Sequence, residues 1–282
     1  MLRLMSVAVV LAASTATSMA AVVTVLPGTT WADQNTSAPF NTSTITGDAP
    51  RSGNGSLNVV GPRSRFATGT VFPSAASTSF GLLSALNAFS VDVRTDAFGS
   101  GATAMRRLPA IRPHVFDPTN GFRSELIWEN EEVLTVAAPL LGDWYSVDVF
   151  NSSIWRFVNA YNPAGALETG RTAQVGNPGG TLTQAMSGWI ANATPVAGPS
   201  GGANTQALYS SQAFIGGISI GIGSGATGYS GYADNLRIAF QGGTDTTYNF
   251  ELRGAEVPEP NSLVLVGLAL VGLAAARRRQ SA

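Results

Sequence analysis

The chain has 282 residues, a formal charge of −1 and only 12% charged residues, and every one of its sixteen basic side chains is Arg. No basic face is available for a nucleic-acid partner. With no cysteine, neither a disulfide framework nor thiolate chemistry is open to it.

The chain begins with Arg3 in a short basic segment, an apolar run Leu4–Ala13, and the small residues Ser18 and Ala20 flanking Met19. That order is a secretory signal helix with cleavage after Ala20, because a buried first helix would carry a polar face. Residues 21–256 then form one domain, long enough for a sizeable core. Its 13 Phe, 5 Trp and 6 Tyr, with dense Gly and Pro, predict many short strands and turns around packed aromatics rather than a disordered chain.

Residues 27–56 read as an irregular polar loop or edge region. Strands follow at Leu57–Val60 and Phe66–Val71, joined through Gly61-Pro62. Phe89-Ser90-Val91-Asp92-Val93-Arg94 alternates apolar and polar, the pattern of a half-buried antiparallel strand. Three prolines within Arg106–Asn120 predict a loop or broken edge. Glu125–Trp128 and Val133–Ala137 form another pair, and Trp144–Val149 with Ile154–Val158 has the spacing of a hairpin. One short helix is predicted from Leu182, Ala185, Met186, Trp189 and Ile190, with Thr181 and Gln184 as a capping box and Pro195 beyond its end. Strands Phe214–Ile222, Gly231–Phe240 and Thr246–Glu251 close the body. The whole is an all-β protein, an antiparallel β-sandwich.

Residues 257–282 carry three instructions in series. Pro258 and Pro260 fix φ and remove two donors, so Val257–Pro260 stays extended. Leu263–Ala276 is uncharged, and its Leu and Val residues contribute about −2.4 to −4.8 kcal/mol toward insertion. As a helix this stretch spans roughly 21 Å, short of a ~30 Å hydrocarbon core. Arg277, Arg278 and Arg279 hold that end in the cytoplasm. Pro258-Glu259-Pro260, the short Gly/Leu/Val/Ala span and the Arg cluster resemble the PEP-CTERM sorting signal of exported bacterial proteins. The resemblance implies processing near Pro258-Glu259-Pro260 by an exosortase, a membrane transpeptidase. It also implies a host that makes extracellular polysaccharide.

A second resemblance concerns the body. Gly217–Gly225 followed by Tyr232-Ala233-Asp234-Asn235-Leu236-Arg237-Ile238 is similar to the closing strands of jelly-roll sandwiches, as in carbohydrate-binding and laminin-G-like domains. It implies jelly-roll topology and no particular ligand.

The catalytic inventory is thin. Gly217-Ile218-Ser219-Ile220-Gly221 matches a nucleophile-elbow string, but Ser219 falls mid-strand and the sole histidine, His114, precedes it. Gly223–Gly228 matches a dinucleotide fingerprint with no helix after it, so a turn is the better reading. A lone His and no Cys cannot build a zinc site. Calcium needs only oxygens, and Asp92, Asp96, Asp117, Asn120, Asp234 and Asn235 could contribute, with Asp234-Asn235 the foremost pair, but no EF-hand spacing is present and a turn or strand-end hydrogen bond is the better reading of that pair. Glu129, Glu131 and Glu132 beside Trp128 could supply glycosidase carboxylates, though a charged turn explains them equally. Trp128, Trp144, Tyr145 and Trp155 could stack on sugars, though most such aromatics serve the core.

The sequence therefore predicts an exported surface or matrix protein without enzymatic activity or an assigned cofactor, located at the membrane during sorting. Its alternative is a module that binds, or less readily cleaves, exopolysaccharide.

Overall fold

The computed structural model describes residues 20–34, 42–101, 104–119, 121–160, 173–175, 185–187 and 210–253. The signal segment, most of the 181–192 helix and the C-terminal tail lie outside these residues. Among the described residues no helix is long and apolar enough to cross a membrane.

The strands, in chain order, are β1 (Ala21–Val25), β2 (Ala32–Asp33), β3 (Thr44–Thr46), β4 (Ser56–Val60), β5 (Ser64–Gly69), β6 (Gly81–Leu82), β7 (Leu86–Phe98) and β8 (Ala110–Phe116). After them come β9 (Phe122–Ile127), β10 (Trp144–Asp148), β11 (Trp155–Ala160), β12 (Ala173–Val175), β13 (Phe214–Ile222), β14 (Tyr229–Phe240) and β15 (Asp245–Phe250). They make two sheets. The first is 7-stranded, with the path β1-β15-β14-β4-β3, and β7 and β10 added on the other side of β14. The second is 8-stranded, ordered β12-β11-β9-β8-β13-β5-β2, with β6 also on β13. Among the described residues every pairing is antiparallel except that of β1 with β15.

Alternation decides which faces meet. On β7, Phe89, Val91 and Val93 are buried while Ser90, Asp92 and Arg94 are not, as the sequence pattern requires. On β13, Ile218, Ile220 and Ile222 turn inward from the opposing sheet. Together with Ile111, Val115, Leu126 and Ile238 they form one contiguous core. At one end Trp31 stacks on Phe66 at 6.1 Å and meets Tyr248 and Phe250 edge-on at 5.3 and 5.1 Å. These rings tie the two sheets together and, through β15, reach the last strand of the body.

Three expectations are corrected. Arg106–Asn120 is not a loop, because β8 lies inside the second sheet between β9 and β13. His114 opposite Glu125 and Ile111 opposite Trp128 share one register, which places Pro113 opposite Leu126. The missing Pro N–H removes one rung there, and the ladder resumes on both sides. Val133–Ala137 is not a strand. The buried Asn130 side chain accepts from Val136 N at 2.7 Å and donates to Val136 O and Arg106 O at 2.9 and 2.7 Å, so the chain coils around it. One helical turn, α1 (Asn130–Val133), stands in its place and ends at Leu134 with φ 54°. Finally, β10 and β11 are not a hairpin: β10 pairs with β7 in the first sheet and β11 with β9 in the second. Asn151-Ser152-Ser153 is the crossover between layers, held by Asn151 N donating to Asp148 Oδ1 at 3.1 Å.

Glycine permits the tightest contact in the second sheet. A Cβ on Gly221 would stand 1.9 Å from Ser64 O on the adjoining strand, whereas one on Gly223 would find only Glu129 Oε1 at 3.8 Å. Gly221→Ala is therefore expected to destabilise the body by about 2 kcal/mol or more in denaturant unfolding, with Gly223→Ala within about 0.5 kcal/mol of the parent. Equal effects from the two substitutions would contradict this packing.

Candidate functional site

Asp234 and Asn235, the foremost calcium candidates, sit where β14 changes partners. Residues 230–233 pair with β4 and residues 236–239 pair with β15, both on the same side of β14. Between them the ladder with β7 breaks register, and Asn235 takes φ 50°, which Asn tolerates. The Asp234 carboxylate fills the gap. Oδ1 accepts from Asn235 N at 2.8 Å and Phe250 N at 2.9 Å, and Oδ2 accepts from Ser52 N at 3.2 Å. Asn235 Nδ2 donates to Ser52 Oγ at 2.6 Å and to Asp92 Oδ2 at 3.0 Å. Asp92 also accepts from Arg51 Nε at 3.0 Å and Ser146 Oγ at 2.5 Å. Next to it the buried Glu251 accepts from Asn54 N at 2.5 Å. Carboxylates and the 51–55 loop thus join the ends of two strands that do not pair with each other.

Charge in this joint is costly. Burial pushes the Asp234 carboxyl up to about 7, aided by the neighbouring Glu251 and opposed by its three backbone donors. Burial also acts on Asp92, but hydrogen bonds from Ser146, Asn235 and Arg51 outweigh it and hold that carboxyl below its ordinary value. Among the described residues no group of three or more His, Cys, Asp or Glu is arranged to hold a metal ion. Of the other oxygen candidates, Asp96 is bonded to Arg94 at 2.6 Å, and Asp117 is buried and accepts from Ser210 N and Oγ at 2.6 and 2.8 Å. Asn120 lies outside the described residues.

The outer face of the second sheet brings Ser219 and His114 together, although sequence order separates them. His114 Nε2 and Ser219 Oγ are 2.8 Å apart on adjoining strands, both buried. The roles are the reverse of a nucleophile and its base. Phe72 N donates to His114 Nδ1 at 3.1 Å, so a neutral ring carries its proton on Nε2 and donates it to the serine. A base would instead accept the serine proton there. Burial, then the nearby Arg65 and Arg112, holds His114 well below its ordinary value, so the ring is neutral at pH 7.

Around this pair runs a line of alternating charge. Arg65 meets Glu125 at 2.7 Å, Glu125 meets Arg112 at 3.4 Å, and Arg112 meets Glu129 at 3.2 Å. The small side of β13, Gly217, Ser219 and Gly221, lets Arg65 reach across to Glu125 from β5 to β9. Residues 70–80 cross over this face, with Phe72 O accepting from Arg65 at 3.4 Å and Pro73 O accepting from Arg123 at 2.8 Å. Sequence reasoning missed this face. Its signal was the alternation of Arg112 and His114 with Ile111 and Val115, hidden by the prolines.

The proposed glycosidase carboxylates are dispersed into ion pairs. Glu129 faces Arg112, and Glu131 holds Arg107 at 2.6 Å. The side chains of Glu132 and Trp155 lie outside the described residues. Trp128 is a core residue whose Nε1 donates to Thr135 Oγ1 at 3.1 Å. Tyr145 packs against the core, and its hydroxyl accepts from Leu140 N at 2.8 Å. Trp144 is half-buried at the outer surface of the first sheet, with the Arg51 guanidinium 5.8 Å from its ring. Beside it Arg94 lies 5.8 Å from the Tyr232 ring. The Gly223–Gly228 string is a loop between β13 and β14 with no helix after it.

The raised Asp234 carboxyl makes stability depend on pH. The unfolded chain releases this proton near pH 4 and the folded chain only near pH 7, so its contribution is present in acid and lost as pH rises through that window. Asp234→Asn removes the titration. The unfolding free energy of the parent should therefore fall relative to the variant between pH 4 and pH 7, by at most about 4 kcal/mol. A parent–variant difference that stays flat from pH 4 to pH 8 would refute it.

Comparison with known proteins bears on the other end of the chain. No curated protein and no solved structure matches it. Residues 256–279 match the PEP-CTERM protein-sorting motif, which implies export, sorting at a membrane and processing by an exosortase.

Proposed function

We propose that this chain is a non-enzymatic surface or extracellular-matrix protein, a β-sandwich of jelly-roll type delivered by its C-terminal signal. The observation that carries the reading is the sorting motif at 256–279, a few residues past the last described position, Arg253. Pro258-Glu259-Pro260 is the processing segment, and Leu263–Ala276 pauses in the membrane with Arg277, Arg278 and Arg279 inside. Two features of the body support the absence of chemistry: the described candidate carboxylates are held by arginines or backbone amides, and the Ser219–His114 pair has the wrong proton arrangement. Calcium at Asp234-Asn235 would have to displace backbone donors, so its place here is a minor one.

A second reading, binding of exopolysaccharide, is favoured by one surface. Trp144, Tyr232, Arg51 and Arg94 lie with Asp92 and Ser146 across the outer face of the first sheet, aromatic rings beside polar side chains. Such a combination suits sugar rings and their hydroxyls. It would make the protein a matrix adhesin under the same delivery scheme.

Intact-mass measurement on the chain recovered from cells that contain an exosortase tests the first reading. The expected species begins at Ala21 and lacks residues 263–282; a finished protein that retains Arg277–Arg279 would overturn it. Pro258→Ala with Pro260→Ala is expected to reduce this processing, and replacing Arg277–Arg279 by Ala to lose membrane orientation. Labelling of Ser219 by a fluorophosphonate, or glycan hydrolysis by the purified chain, would end the non-enzymatic reading. A glycan array probed with and without calcium separates the second: binding lost in Trp144→Ala supports it, and no binding to any acidic exopolysaccharide removes it.

A further inference from the structure

We propose that the free edge of β1 docks a second copy of this chain, the two β1 strands pairing antiparallel about a two-fold axis at Val23. β1 ends the first sheet, and among the described residues nothing pairs with its outer side. A bare edge is a template for another strand, and proteins ordinarily blunt it by shortness, charge or proline. The other edges here are blunted. β3 and β12 have three residues and β2 has two. β10 has five but runs from beside Asp143 to Asp148. The side chains of β1 supply none of these guards: its five residues, Ala-Val-Val-Thr-Val, include no charged side chain and no proline. Val22 is 67% exposed and Val23 41%.

The bonding phase of β1 is fixed by Glu251 N, which donates to Val25 O at 2.9 Å. In a parallel ladder alternate residues bond the same neighbour, so Ala21, Val23 and Val25 turn their main-chain groups to β15. Val22 and Thr24 turn theirs outward. With two copies antiparallel and centred on Val23, Val22 faces Thr24 of the second copy and Thr24 faces its Val22. Both are hydrogen-bonded pairs, so all four outward-facing main-chain groups of each copy are satisfied by one register. Val23 meets its counterpart in the close, non-bonded position, where apolar side chains touch best. The arrangement is isologous and closes as a dimer rather than growing into a fibre. A five-residue seam is a weak contact by itself, suited to chains concentrated at one surface.

The absence of cysteine makes the register directly testable. A non-bonded antiparallel pair places Cα atoms about 4.5 Å apart, within the ~4.4–6.8 Å range that a disulfide spans. Val23→Cys in the full chain, held in detergent and oxidised with copper phenanthroline, should give a covalent dimer several-fold faster than Leu140→Cys, a control exposed elsewhere at 62%. Adding Thr24→Lys, or separately Val22→Lys, to the Val23→Cys chain should return the rate to that of the control, since each charges the outer edge without touching the β15 ladder. The proposal is overturned if Val23→Cys links no faster than Leu140→Cys, or if both lysine variants leave its rate unchanged.

Discussion

One carboxylate holds the first sheet together at the point where its geometry is weakest. β14 has two partners in succession on one side, and neither β4 nor β15 covers residues 234–235. Main-chain donors at such a junction need an acceptor from elsewhere, because an unpaired buried N–H costs about 1–3 kcal/mol. Asp234 supplies it to Ser52 before β4 and to Phe250 at the end of β15. Asn in its place would keep one acceptor oxygen and turn its N–H2 group toward one of those donors. Glu251 repeats the device one step further along the chain, through Asn54. Two carboxylates thus do between strand ends what a ladder does between strand centres.

The second sheet solves a different problem with the same materials. Its outer face carries Arg65, Arg112, Glu125 and Glu129, with Phe72 bonded to Arg65 and to the neighbouring His114. Buried charges are tolerated only when each is paired and its remaining hydrogen-bonding capacity is met. An alternating row meets that condition, since Glu125 serves Arg65 on one side and Arg112 on the other. Apolar residues of equal volume in place of such a row often leave stability unchanged or raise it. What the row provides is a fixed position for the crossing segment, through Arg65 to Phe72 O and Phe72 N to His114.

How far the sequence foretold this depends on whether a residue's role was local. Phe89, Val91 and Val93 announced their strand because alternation is a property of neighbours, and Ile218, Ile220 and Ile222 did the same. The C-terminal signal was legible for the same reason: its three parts adjoin in the chain, and the match falls on them. β8 was hidden because a proline rule that holds for most central strands fails where a single rung can be missed. β10 and β11 looked like a hairpin because their spacing is that of a hairpin, and only the choice of sheet separates the two outcomes. For Asp234 only a strand-end hydrogen bond is legible; its partners, like the His114–Ser219 contact, are not. They depend on which strands become neighbours across 182 and 105 positions of chain.

The ends of the body share one edge, and this links its folding to its delivery. β1 is the first strand after the expected signal cleavage and β15 the last before the linker, and they lie side by side in parallel. Among the described residues β1 bonds only to β15, so the first strand out of the membrane waits for the last to arrive. By then the sorting motif is close behind. From Phe250, the end of β15, to Pro258 the chain can span at most about 29 Å even when extended. Under the processing proposed at Pro258-Glu259-Pro260, the end of β15 lies within that distance of the cleavage segment. Glu251, anchored to Asn54, and Phe250, anchored to Asp234, resist any attempt to lengthen the tether by peeling β15 away. Under the proposed processing, the strength of that joint sets whether the tether between body and cleavage segment can lengthen.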